Sequence, residues 1–487
     1  MKLGEIIYEN ECPLSKKDKD RKINNITVRQ NEISDNTLLF ILSEKYLYDC
    51  IGTSRHPSVV VIDKNINIEG KIFGRSTLVL MCDDARSLLA HSFSRFYKVD
   101  YSRFLLIGVT GTNGKSSTAS FISSVLSDSG YRVGFIGTGK IVCNGTLLSG
   151  KEYSMTTPDP WILYPALKEM EERGCNAVVM EVSSHALALR KVSPIKFNYA
   201  VFTNLSDEHL DFHSDTEEYF SCKSRLFTQA DNAIINIDDS YGRRLYDSVS
   251  IKKKSVGILW SADARATHIE NNGFSGSEYM YRECGLIFKM KLNTPGVHNI
   301  YNSLLAAATC TDIGVKPCMV KRSLSAISAL PGRFEIIKSD ITVIIDYAHT
   351  AFAFETLLKE ISRAKLPSER LITVFGCGGE RDREKRPRMA EISEKYAAES
   401  IVTSDNDRGE PSEQIINDIV VGFKRDTYRV IPDRATAIET AIISARPSDI
   451  VAVIGKGEEK YRIDASGYHD FDEREIILSA IAKRTMP

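Results

Sequence analysis

Between Arg103 and Ser129 the chain reads RFLLIGVTGTNGKSSTASFISSVLSDS. An apolar run over 104–109 has the length of a buried strand, breaks into Thr110-Gly111-Thr112-Asn113-Gly114-Lys115-Ser116-Ser117, and gives way to a helical pattern. Strand, glycine-bounded loop and helix in that order make a phosphate cradle. Gly111 and Gly114 let backbone N–H groups turn inward on an anion, the helix points its positive end there, and Lys115 and Ser116 add a cation and a magnesium-ligating hydroxyl. The spacing departs from the strict P-loop, which would place glycine at 109. Val109 stands there, and Gly108 comes one residue too early. A plain glycine turn between strand and helix is the competing reading, but Gly-Lys-Ser at the helix start favours a nucleoside triphosphate.

A chain of 487 residues has room for more than one domain, three being a natural count for units of roughly 150 residues. The 63 basic residues nearly balance the 64 acidic ones, so no broad field draws the chain to nucleic acid or anionic lipid. Any specific partner must then be recognised locally. Ten scattered cysteines without metal-type spacing read as reduced thiols, and neither a signal-like core nor a membrane-length apolar run is present. A cytoplasmic protein, with no membrane or nucleic-acid partner, is the expectation.

The periodicity divides the chain into 1–97, 98–332 and 333–487. The first unit carries short strand-like runs at 37–42, 58–62 and 76–81 and a helical pattern over 84–97. In the second, strands at 104–109, 132–136, 177–182 and 199–203 alternate with helices, which argues for a mostly parallel sheet with ligands at its strand ends. Glu181-Val182-Ser183-Ser184-His185 and Thr203 to Asp211, including His209, fall at such ends. Taken singly, Glu181 and His209 read equally as hydrogen-bonded loop residues; together, beside a P-loop, they suit a magnesium shell. By pattern alone Lys223 is a solvated helix lysine, and 296–302 opens a helix that places Asn299 and Asn302 either near a purine or in a capped turn. The third unit repeats the alternation, with strands at 342–345, 371–375, 400–403 and 450–454, and predicts a second, Rossmann-like doubly wound sheet. Its strand ends carry Asp346-Tyr347-Ala348-His349, Gly376 to Asp382, Ser404 to Glu410 and Gly455 to Glu459. The glycines at 376–379 form an incomplete dinucleotide fingerprint and carry no weight. Arg381 and Arg408 fit either carboxylate binding or plain solvation.

As an ordered set, Thr110 to Ser117, Thr156-Thr157-Pro158, Glu181 to His185, Thr203 to Asp211, Lys223, His298-Asn299 with Asn302, Gly332-Arg333 and Asp346 to His349 resemble the Mur ligases of peptidoglycan synthesis. The later clusters resemble the members that add the third amino acid. The resemblance covers roughly 85–480 and implies an ADP-forming acid–amino-acid ligase. ATP phosphorylates a carboxylate of UDP-MurNAc-L-Ala-D-Glu, and the amine of meso-diaminopimelate attacks the acyl phosphate. It implies that Gly111, Thr112, Asn113, Gly114, Lys115, Ser116, Ser117, Asn299, Asn302, Arg333 and Asp346 hold ATP. Ser116, Glu181, His209 and a carbamylated Lys223 hold Mg2+, with Lys115, Glu181, His209 and Lys223 catalytic. Thr156, Thr157, Ser183 and Lys191 meet the nucleotide-sugar acceptor, while Arg381, Asn406, Arg408, Gly455 and Glu459 meet the diamino acid. Catalysis then requires domain closure, in a monomer with the first unit holding the uridine end.

Four features depart from the family pattern. Asp405-Asn406-Asp407-Arg408 has Asp407 where the family has proline, and Gly455-Lys456-Gly457-Glu458-Glu459 has Glu458 where it has histidine. Leu189 and Lys191 stand where it commonly has Gln and Arg, and no Asp-Ser-Arg signature is recognisable near Thr27-Val28-Arg29. These changes spare the ATP residues and fall on the acceptor and amino-acid sides, so a paralogue with the same chemistry and another acceptor is the alternative. A non-catalytic scaffold would show damage at Lys115, Glu181, His209 or Lys223, and a P-loop motor or switch would leave the third unit's clusters unexplained.

Overall fold

The computed structural model describes residues 1–44, 56–67, 76–148, 153, 155–206, 214–328 and 330–485. Its strands form three α/β sheets and one small hairpin. The first sheet is wholly parallel, in the order Asn25–Thr27, Thr37–Ile41, Val59–Asp63, Leu78–Cys82. Thr37–Ile41 is buried on both faces, which is why its sequence runs apolar without alternation. Asp84 caps the following helix, Ala85–Phe96, by accepting from Ser87 N at 2.9 Å. That helix buries Leu88, Leu89 and Phe93 in a core continuous with the second unit through Leu163 and Leu167.

The second sheet has eleven strands. At its centre Leu105–Thr110 lies parallel between Ala177–Glu181 and Phe197–Phe202, with Val109 opposite Glu181 and Thr110 opposite Phe202. This register brings Glu181 and Thr203 to the same sheet edge as the glycine loop. The helices Lys115–Asp128 and Val297–Ile313 cover one face through Phe121, Ile122, Val125, Leu304 and Leu305. Pro160–Glu172 and Thr216–Thr228 cover the other. Both margins depart from the expected alternation. A meander of Ala264–Asn271, Ser277–Glu283 and Leu286–Leu292 extends one edge, and antiparallel Lys140–Cys143 and Thr146–Leu147 extend the other.

The third sheet runs Glu335–Lys338, Thr342–Asp346, Ile450–Ile454, Leu371–Phe375, Glu399–Val402, Tyr428–Val430, and only its first strand is antiparallel. Apolar residues fill both of its faces, as a doubly wound sheet requires. The glycines that mimic a dinucleotide fingerprint serve backbone packing instead. A Cβ on Gly376 would lie 2.4 Å from Thr403 O, and one on Gly379 would lie 1.9 Å from Asp407 O.

Candidate active site

The glycine loop is held by its neighbours before any ligand enters. Gly114 adopts a left-handed φ of 81°, and a Cβ there would lie 2.4 Å from Asn302 Oδ1. At Gly111 a Cβ would meet Thr203 Oγ1 at 1.9 Å. Asn204 binds the loop from below: Thr112 N donates to its carbonyl at 2.8 Å and Asn113 N to its Oδ1 at 3.0 Å. Thr203 Oγ1 donates to Asn113 O at 2.6 Å. The Lys115 ammonium turns over the loop and donates to the carbonyls of Gly111 (3.0 Å) and Thr112 (2.8 Å), while Ser117 follows Ser116 in the first helical turn.

Ser116 Oγ donates to Glu181 Oε2 at 2.7 Å, so the hydroxyl and carboxylate assigned to magnesium are adjacent. Glu181 is 1% exposed, and its other oxygen accepts from Thr138 N at 3.1 Å. Two hard oxygen donors at the mouth of a phosphate loop fit a magnesium ion. Among the described residues no cluster of three or more His, Cys, Asp or Glu could hold a metal unaided. His209 lies outside the described residues. Lys223 overturns the pattern-based reading of a solvated lysine: it is 1% exposed, donates to Gly111 O at 2.7 Å and lies 4.4 Å from the Tyr219 ring. Its helix, Thr216–Thr228, turns that position inward against the loop, which the local charge pattern could not show.

Asn302 and Asn299 line the start of Val297–Ile313. Thr118 Oγ1 donates to Asn302 Oδ1 at 3.2 Å, and Asn302 Nδ2 to Asn299 Oδ1 at 3.3 Å. Nearby, Asp346 accepts from Phe334 N (2.7 Å) and Ala348 N (2.8 Å), and burial pushes its carboxyl above the usual carboxylate range against the pull of Arg333. The Arg333 guanidinium lies 4.2 Å from the Tyr347 ring, and its buried Nε has no hydrogen-bond partner.

On the acceptor side, Thr157 Oγ1 donates to Glu181 O at 2.9 Å and lies 3.3 Å from Ser183 Oγ. Thr138 Oγ1 reaches Thr156 Oγ1 at 3.3 Å. Lys191 is 3% exposed and is paired internally, its Nζ 2.7 Å from Asp159 Oδ1.

At the third sheet's strand ends Asn406 is the hub. Its Nδ2 donates to Glu459 Oε2 at 2.8 Å, and its Oδ1 accepts from Lys456 Nζ (2.8 Å) and Ile463 N (3.0 Å). Lys456 is fully buried and also lies 3.5 Å from Asp405. Arg408 adopts a left-handed φ of 55° and donates to Gly379 O at 3.0 Å and Asn406 O at 3.2 Å. Gly378 separates it from Arg381: a Cβ there would lie 3.0 Å from Arg408 Nη1 and 3.8 Å from Arg381 Cγ. Arg381 itself is exposed. Gly455, at φ 127°, places the loop beside Asp405. Asp407, one of the departures from the family pattern, accepts from Ser412 Oγ and from Asp405 N and so holds its own turn. Burial raises its carboxyl.

Sequence reasoning missed Thr138, Lys140 and Arg434. Thr138 and Lys140 sit at the turn of an unforeseen hairpin. Arg434 is fully buried, pairs with Glu473, and donates to Ser404 O (3.1 Å) and Ile454 O (3.0 Å), tying two strand ends together. Its place in the helix Arg434–Ser444, which also carries Glu439 and two threonines, gave no local signal of burial.

A P-loop sheet joined to a doubly wound sheet, with cations and carboxylates at both sets of strand ends, defines an ATP-dependent ligase. The Mur ligase middle domain family matches residues 109–310, and the Mur ligase glutamate ligase domain family matches 332–457. A UDP-N-acetylmuramoyl-L-alanyl-D-glutamate–2,6-diaminopimelate ligase 1 of Clostridium acetobutylicum is 36% identical over 99% of both chains. The corresponding ligase of Clostridioides difficile is 35% identical over 99% of this chain and 100% of its own. A solved structure of such a ligase aligns over 100% of both chains with a TM-score of 0.68 at 25% identity. The chain belongs to the Mur ligase family.

Proposed function

We propose that this protein joins meso-diaminopimelate to UDP-MurNAc-L-Ala-D-Glu in peptidoglycan synthesis, with ATP cleaved to ADP and phosphate. The observation that carries the reading is the Ser116–Glu181 contact at the mouth of the glycine loop, which stands together with a second strand-end cluster where Asn406 holds Glu459 and accepts from Arg408. The full-length relatives named for this reaction support the substrates. The units 1–97, 98–332 and 333–487 then hold the uridine end, ATP and the amino acid respectively.

The chemical difficulty is gathering negative charge. An acceptor carboxylate oxygen bonds to the γ-phosphorus while the bond from that phosphorus to the β-bridging oxygen breaks, releasing ADP. Lys115 and the loop N–H groups hold the phosphate oxygens through this transfer, as donors preset for the developing charge. Ser116 and Glu181, with His209, would hold magnesium, which supplies charge neutralisation. Lys223, lodged under Gly111, matches the lysine that this family carbamylates, and a carbamate there would turn a cation into an anion beside the same loop. The amine then attacks the acyl phosphate carbonyl, a C–N bond forms, a proton leaves the nitrogen, and phosphate departs. Arg408 matches the distal carboxylate of the diamino acid and Glu459 its distal ammonium. Asn299, Asn302, Arg333 and Asp346 surround the nucleoside. Soluble substrates fit a cytoplasmic enzyme, and no helix among the described residues is long and apolar enough to cross a membrane.

A second reading has its own observation. Lys191 is neutralised by Asp159 inside the protein, and Leu189 replaces a polar contact, so an acceptor other than UDP-MurNAc-L-Ala-D-Glu is the alternative. Phosphate release with ATP, magnesium and this acceptor, comparing meso-diaminopimelate, L-lysine and no amino acid, decides between them, with product mass as the check. A diaminopimelate-dependent signal of matching mass is expected. Silence in a protein that binds ATP would transfer the case to the paralogue.

A further inference from the structure

Glu458 stands where the family has histidine, and it is not spare charge. Its carboxylate meets Lys140 Nζ at 2.7 Å, joining residues 318 positions apart across the second and third units. Both partners sit on elements that reach the chemistry. On one side, Glu458 directly precedes Glu459, whose carboxylate is held by Asn406 Nδ2 at 2.8 Å and by Tyr347 OH at 3.3 Å. On the other, Lys140 opens the second strand of the hairpin Val133–Gly137 and Lys140–Cys143, and Thr138 in its turn donates its N–H to Glu181. Tyr153 OH donates to the carbonyls of Gly137 and Lys140 and fastens that turn, so Lys140 cannot drift without disturbing it.

The backbone supports the same junction. Gly332, at the entrance to the third unit, has a left-handed φ of 63°, and a Cβ there would lie 2.2 Å from Glu458 N. The linker, the Gly455–Glu459 loop and the hairpin thus meet at one point.

We propose that Lys140 and Glu458 are positioning residues for the ligase reaction: their ion pair sets the amino-acid loop in register with the carboxylate that holds magnesium. Resting on the ligation proposed above, the pair seats the diamino-acid loop against a phosphate site that is already formed, so its loss falls on the amino acid rather than on ATP. Both side chains are about one-third exposed, so the effect is moderate and weakens with salt.

The test is a charge swap read in two ways. In phosphate-release kinetics, K140E and E458K each raise the amino-acid KM about fivefold to tenfold and leave the ATP KM within about twofold, and K140E/E458K returns the amino-acid KM to within about threefold of wild type. Raising salt narrows the gap between wild type and E458Q. Small-angle scattering with a non-hydrolysable ATP analogue supplies the readout that needs no amino acid. Each single reversal shifts the curve toward a more extended particle, and the double swap restores it. Unchanged amino-acid KM and scattering in both single variants, or a double variant worse than either single, overturns the inference. If wild type is inactive with diaminopimelate, the proposed substrate fails and the scattering series alone decides the role of the pair.

Discussion

The two strand-end clusters follow opposite electrostatic plans. At the second sheet the receptor is built from backbone: a loop whose glycines are pressed against Thr203 and Asn302, with the Lys115 and Lys223 ammonium groups resting on its carbonyls. At the third sheet it is built from side chains that largely cancel one another. Lys456 lies between Asp405, Asn406 and Glu459, and Arg386 between Glu410 and Asp418. A backbone receptor has one geometry and tolerates little change, whereas a side-chain network can take up an extra charge, as Ser412 does by donating to Asp407. The first fixes the reaction, and the second is where specificity can shift.

The sharpest way to break this contrast is at the loop. Lys115→Ala should lower ATP-dependent phosphate release by about 10³-fold or more, since on the proposed mechanism it removes the cation that holds the phosphate oxygens. Gly114→Ala should act in the same direction, because a side chain there is strained at φ 81° and collides with Asn302. Near-normal turnover in both would refute the backbone receptor. Glu181→Gln should cost about 10²-fold in kcat and raise the magnesium needed for half-maximal rate, measured by metal titration at saturating ATP.

Changes at the third sheet should be milder and fall on a different parameter. Arg408→Ala should raise the amino-acid KM about tenfold and leave the ATP KM within about twofold, because the guanidinium is remote in sequence and sheet from the phosphate loop. An equal rise in both would mean that Arg408 shapes the whole interface rather than one pocket.

The same contrast explains what the sequence made legible. Strand, glycine loop and helix were readable because each step depends on neighbours a few residues away. Glu181 was readable because a strand end follows from periodicity, and register then delivers it opposite Val109. Lys223 was misread by pattern because its burial depends on Gly111, 112 residues earlier, and only the family resemblance pointed the other way. The outer meander did carry a signal that went unread, since Phe288 to Leu292 alternates apolar residues with lysines and buries Met290 and Leu292 while exposing Lys289 and Lys291; Lys140–Cys143, only four residues long, is too short for periodicity to declare it. Lys456 and Arg434 had no local signal at all, since a buried cation is defined by partners such as Asp405 and Glu473 that fold to it from elsewhere.

The smallest expected effect tests whether the third unit's charges hold its frame rather than its substrate. Arg386 is fully buried and grips Glu410 through two hydrogen bonds of 2.7 and 2.8 Å, with Asp418 on its other side at 2.8 Å. Chiefly through the Arg386 hydrogen bonds, the Glu410 carboxyl is lowered to about 2 from an ordinary 4.5. A carboxyl depressed on folding contributes stability above its unfolded value and loses it as pH falls toward the folded one. Wild type should therefore exceed Glu410→Gln in Tm by roughly 2–5 °C near neutrality, and the gap should close between about pH 4.5 and about pH 2. The amino-acid KM at neutral pH should stay within about twofold, since Glu410 supports the Gly378–Arg386 loop from behind. A constant Tm gap across that window would show that the pair contributes through shape and not charge, and the division between frame and pocket charges would have to be redrawn.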